Sequence, residues 1–260
     1  MSRIRHISIA SISVFTAAMI CLTAISGCTQ KDTATVATGP GSLAGTWVNA
    51  EYKGSSSNPE RARVLKTVDG KWPPMLPWAA ELLEKRIKDS QAGLPFANTL
   101  ALCLPGGIPL MLFGAAIPVQ ILGTPGQVAM LFMEGNRFRV IPLNASHPAD
   151  VDPSYMGDAV ARWEGDTLVV DTVGIKDNTT LDQIGMPHTE QLHVVERYRR
   201  TGENSMEIRV TIDDPGTFTQ PWEARVNYKL APVGTRMTED ICENNRNLPD
   251  EQGRSGFQRF

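Results

Sequence analysis

The sequence predicts a mainly β protein: an antiparallel meander that closes into a barrel of eight to ten strands, with one helix at about residues 77–91 and a β-sandwich as the alternative. Two observations carry this. Met206, Ile208, Val210 and Ile212 alternate with Glu207, Arg209 and Thr211, and Trp222, Ala224, Val226, Tyr228 and Leu230 alternate with Glu223, Arg225, Asn227 and Lys229. Such period-two runs are strands with one dry and one wet face. Glycine-bearing turns separate successive short runs, which is hairpin punctuation. Closure is favoured over a sandwich because a closed meander leaves no strand edge exposed.

The chain opens with Arg3 and Arg5, an apolar stretch from Ile7 to Ile25 interrupted by Ser and Thr, and small residues before Cys28. That is the order of a secretory leader, and the interruptions make it a poor permanent span. Leu22 to Cys28 resembles a bacterial lipoprotein signal. The resemblance implies cleavage before Cys28, lipid on its thiol and a membrane as partner. Thr29, standing where Asp would favour the inner membrane, implies the periplasmic side of the outer membrane. The expected organisation is a signal peptide at 1–27, a polar, flexible lipidated tether at 28–42, and a single barrel-like domain at 43–260.

Cleavage leaves 233 residues, enough for one well-buried β domain. Losing Arg3 and Arg5 moves the formal net charge from −3 to −5. No basic stripe exists to displace counterions, which argues against nucleic acid as a partner. Cys103 and Cys242 remain as one pair; bridged, they would close a loop of about 140 residues, worth roughly 4–5 kcal/mol in the chain-entropy model. Two buried thiols are the alternative.

The domain is expected to begin at Leu43 to Trp47. Gly45-Thr46-Trp47 resembles the opening of lipocalin-type barrels, in which the Trp plugs one end; this lipocalin-like reading concerns fold alone. The helix follows Pro77, which suits a first helical position, with Ala79, Leu82, Leu83 and Ile87 on one face and Gly93 as its stop. Residues 94–126 are apolar but cut by Pro95, Pro105, Pro109, Pro118 and Pro125, so no regular helix or central strand is expected there. That segment reads either as a lid or cavity wall lined by Met111, Leu112 and Phe113, or as cover for a sheet edge. Hairpins follow: 128–133 with 137–141, 158–163 with 167–173, and 192–199 with 206–212.

All three histidines of the mature chain, His147, His188 and His193, fall between residues 147 and 197, among many carboxylates. This region holds the groups that titrate near neutral pH. In the strand 190–199, His193 and Arg197 lie on one face and Glu196 on the other; either face may be interior. Asp171 is a lone carboxylate among β-branched residues. The acid/base candidates are His193, His188, Asp171 and Glu196; the ligand-holding candidates are Arg197, His147, Tyr155, Trp163, Met111 and Phe113. The bland alternative pairs Asp171 and Glu196 with Arg162, Arg197 or Arg199. No zinc-ligand spacing, nucleophile elbow, phosphate loop or cofactor fingerprint is present, so neither metal nor cofactor is expected.

The runs Ser154 to Asp158 and Arg162 to Thr172, with Val195 to Tyr198, Asp213-Asp214-Pro215, Pro221-Trp222 and Cys242 to Asn245, resemble a motif of uncharacterised secreted bacterial proteins. The resemblance covers roughly residues 100–245 and carries over no catalytic residue. The expected function is a lipid-anchored envelope protein that binds a small, partly apolar molecule in its barrel. The alternative is a cofactor-independent acid/base enzyme (hydrolase, lyase or isomerase) acting in the same cavity. The sequence does not give the oligomeric state.

Overall fold

Nine strands form one antiparallel sheet whose order is β4-β3-β2-β1-β9-β8-β7-β6-β5 in a computed structural model that describes residues 42–51, 65–94, 99–113 and 118–241. The strands are β1 (Gly45–Asn49), β2 (Val119–Thr124), β3 (Gln127–Phe132), β4 (Arg137–Pro142), β5 (Asp158–Glu164), β6 (Thr167–Val173), β7 (His193–Gly202), β8 (Ser205–Asp213) and β9 (Trp222–Leu230). β1 pairs with both β2 and β9, so the meander returns on itself. The ring is nearly closed; β4 and β5 meet only through a parallel bridge, Leu143 with Ala161. Nine is odd, and alternating strand directions cannot close an odd ring without one parallel pair. β4 and β5 are that pair, and residues 143–157 must cross back from the end of β4 to the start of β5. The ring order excludes the sandwich.

The alternating runs behave as expected. Met206, Ile208, Val210 and Ile212 are fully buried and pair with Tyr228, Val226, Ala224 and Trp222 on β9. Trp47 is also fully buried and donates from its indole N–H to the carbonyl of Leu43 at 2.8 Å. The helix α1 (Pro77–Gln91) buries Ala79 and Leu83 and ends before Gly93 at φ +82°. It lies against the loops that join β6 to β7 and β8 to β9: the amide of Leu76 donates to the carbonyl of Thr217, and Arg86 donates to that of Gly185.

The proline-rich stretch needs one correction. Val119–Thr124 is a regular strand between β1 and β3, bounded by Pro118 and Pro125 rather than broken by them. Pro lacks only its own N–H, so at a strand's ends it costs no ladder bond. Residues 106–113 are buried and end in a short helix, α2 (Leu110–Phe113). The Tyr228 hydroxyl, on the inner face of β9, donates to the Leu112 carbonyl at 2.8 Å. Met111, Leu112 and Phe113 thus pack on the barrel core as a plug. Cys103 is disulfide-bonded. Cys28 and Cys242 lie outside the described residues, as do residues 1–41.

Candidate functional site

The strand wall divides the candidate residues into two groups. Glu196 points into the barrel, fully buried. Its partner is Arg139 on β4, whose two terminal nitrogens each donate to a carboxylate oxygen at 2.9 Å. Arg139 also donates to the Thr172 hydroxyl at 2.8 Å, and Thr172 donates to Glu196 at 3.2 Å. The Tyr198 hydroxyl donates to Glu196 as well. Burial, with the Glu196 charge beside it, pushes the Tyr198 phenol well above its ordinary pKa, so it stays a donor. Most surrounding inner-wall side chains are apolar and closed from solvent, including Val170, Val194, Val210 and Ile212, and Tyr228 adds one further hydroxyl. The Nε of Arg139 has no partner within the described residues.

This corrects the expected partnership of Glu196 with Arg162, Arg197 or Arg199. Arg197 points outward and donates to Glu164 at 2.7 Å, which also accepts from Arg162. Arg139 is not among the residues expected from the sequence. The signal was nonetheless there: in Arg137-Phe138-Arg139-Val140-Ile141 two apolar residues share one parity, and the eye assigns them inward. The structure does the reverse, with Phe138 and Val140 exposed and Arg139 buried.

Outside the wall, near the starts of β5 and β7, lies the second group. His147, in the crossover segment, places Nδ1 2.5 Å from Asp158 and Nε2 3.1 Å from Asp171. Ionised carboxylates only accept, so this placement favours the doubly protonated imidazolium. Burial alone would lower its pKa; the two carboxylates outweigh that and hold it raised. His193 places Nε2 2.8 Å from the same Asp171 oxygen. Burial would raise the Asp171 carboxyl, but His193 and His147 together hold it lowered. His193 is the more open ring, with its side chain 40% exposed. The four residues form a chain, Asp158–His147–Asp171–His193, on the barrel's outer surface.

The remaining candidates stand apart. His188 is buried: its Nδ1 donates to the Thr189 carbonyl at 2.9 Å, and the Thr179 hydroxyl lies 2.7 Å from Nε2. Burial lowers its pKa, so the ring is neutral and serves the β6–β7 loop. Tyr155 lies beneath the ammonium of Lys176, 5.1 Å from the ring centre, and Trp163 is exposed. Met111 and Phe113 belong to the plug. Two carboxylates outside the expected set organise the loops: Asp182 accepts from the amides of Leu65, Ile184, Gly185 and Met186, and Asp214 from the amides of Thr189 and Gly216. Among the described residues no group of three or more His, Cys, Asp or Glu has a metal-holding arrangement. Comparison with protein-family models, with curated proteins and with solved structures finds no match.

Proposed function

We propose that the chain is a lipid-anchored protein of the cell envelope whose barrel binds a small, partly apolar molecule. The observation that carries this reading is the polar group of Arg139, Glu196, Thr172 and Tyr198 set into a largely apolar interior. A buried ion pair is a poor stabiliser, since desolvation consumes its Coulomb gain. A binding role gives it a use, and the free Nε of Arg139 is a donor in waiting. Glu196 neutralises Arg139, so the matching ligand group is a neutral acceptor, such as a carbonyl or hydroxyl, on an apolar body. The inner wall is closed by its own side chains, so entry requires a movement, either of the plug at Met111 to Phe113 or at the β4–β5 seam.

Native mass spectrometry of protein extracted from its host tests this. The parent should carry a retained small molecule. Arg139→Met with Glu196→Leu, Thr172→Val and Tyr198→Phe should fold and lose it. Equal retention by that variant would sink the reading.

A second reading is carried by the outer chain. Asp171 holds the Nε2–H of His193 and orients a ring whose side chain is 40% exposed, which makes Nδ1 the candidate basic atom of a general base. Glu196 lies across the wall and takes no part. Turnover of a substrate that is abolished by His193→Ala and untouched by Glu196→Gln would favour it.

A further inference from the structure

We infer that the outer face of β2, β3 and β4 is a membrane-contact surface that seats the barrel on the bilayer holding Cys28; this rests on the acylation reading above. The register sets Leu122, Ala129 and Val140 in one outward row and Gln120, Leu131 and Phe138 in the next. Leu122 is 40% exposed, Phe138 66% and Val140 51%. Gln120, Thr124 and Gln127 rim the patch with neutral polar groups. A contiguous apolar face with a polar rim marks an interaction site.

The rest of the outer wall has the opposite character. On β8 and β9, Arg209 pairs with Glu207 and Glu223, and Arg225 reaches Glu207. These strands lie across the ring from β3. The barrel is thus two-sided, apolar on one flank and ionic on the other.

The occupant follows from where the chain enters. β1 lies beside β2, and Gly45 pairs with Ile121, the neighbour of Leu122. Fourteen residues, 29–42, separate Cys28 from Leu43. Fully extended they span at most roughly 50 Å, so a bilayer holding Cys28 stays within that reach whatever path they take. Tethering raises the effective concentration of lipid at this flank, and a patch that binds only weakly alone can then dock. The outward side chains of β2, β3 and β4 are uncharged, which suits lipid; charge stands beyond them at the β3–β4 turn, where Asp240 accepts from the Gly135 amide.

The test uses the full chain in vesicles of phosphatidylethanolamine and phosphatidylglycerol. An environment-sensitive dye is placed at Val140→Cys or, on the far flank, at Arg209→Cys. Doxyl-labelled lipid should quench the dye at 140 and leave that at 209 unchanged. Equal quenching, or none at either position in protein that floats with the vesicles, overturns the contact. A dye at 140 that already reports an apolar site without lipid, and ignores doxyl lipid, means that a second copy or the 242–260 segment covers the face, which also overturns it. Flotation of the parent but not of Cys28→Ala checks the anchor separately. The Cys28→Ala chain should retain weak partitioning at high lipid, and Phe138→Glu with Val140→Glu should reduce it about ten-fold. Partitioning unaffected by those glutamates again overturns the contact.

Discussion

Arg139 on β4 and Glu196 on β7 form a two-pronged ion pair inside the barrel, two hydrogen bonds of 2.9 Å between side chains that are almost wholly buried. The pair reaches across the seam where β4 and β5 barely touch, so it ties together strands that the sheet ladder leaves apart. Removing one partner strands a charge in an apolar interior. Arg139→Met alone should cost about 3–5 kcal/mol. The fourfold apolar replacement, which leaves no orphaned hydroxyl, should come within about 1 kcal/mol of the parent or exceed it. Urea unfolding of the two variants checks both, and a single variant as stable as the parent would refute the argument.

Gly157 has φ +71°, and a Cβ there would stand 2.7 Å from the Thr172 methyl, 2.7 Å from the Val173 carbonyl and 2.9 Å from Ile175. Two of those three neighbours belong to β6, so the glycine lets the crossover press against the wall. Gly157→Ala should destabilise by about 2–4 kcal/mol through strain and clash combined. Gly165, at φ +63° with open space around it, should cost about 1 kcal/mol on the same change. Thermal unfolding of the pair distinguishes crowding from backbone conformation alone.

The clamp of His147 on Asp158 and Asp171 makes stability depend on pH. The folded pKa of His147 is raised, so its contribution is complete below an unfolded value of about 6.5 and is lost as pH rises through the folded one. Asp171 is lowered, so its contribution is present above an unfolded value of about 3.9 and is lost as pH falls through its folded one. Between about pH 4 and 6.5 both act. His147→Gln should flatten the alkaline decline in unfolding midpoint and shrink the acid decline only in part, because His193 still holds Asp171 lowered. An unchanged alkaline slope in that variant would rule the clamp out.

Glu134, in the turn between β3 and β4, is pushed up to about 7 by burial, with the Asp240 charge adding to it. One of its oxygens has no partner within the described residues, while Asp240 accepts from the Gly135 amide at 2.8 Å. The folded acid holds its proton more tightly than the unfolded one. Its contribution is therefore complete below about pH 4.3 and lost as pH rises to about 7. Hydrogen exchange at Gly135 should quicken over that window beyond its intrinsic pH dependence. Glu134→Gln should remove the excess.

The strands β8 and β9 were legible because each keeps one parity apolar over several positions, and a single register satisfies both. The helix was legible from Pro77, its apolar face and Gly93. Val119–Thr124 was not, because prolines on both sides look like breakers until the strand's length is known. The candidate site was legible as a region but not as a geometry. Period two separated Glu196 from His193 and Arg197, yet could not say which side was inside. Asp171 and His193 meet as diagonal neighbours on adjacent strands, Asp171 standing opposite Val195, and His147 joins them only through the crossover that an odd strand number imposes. Arg139 escaped notice because hydrophobicity usually points inward, and on β4 it points out.

Parity has a lasting consequence for this architecture. Hairpins come and go as units of two strands, so inserting or deleting one anywhere around the wall leaves the count odd. The same-direction joint would survive every such change, inherited like a handedness. Only gaining or losing a lone strand, with a new long connection to match, could abolish it.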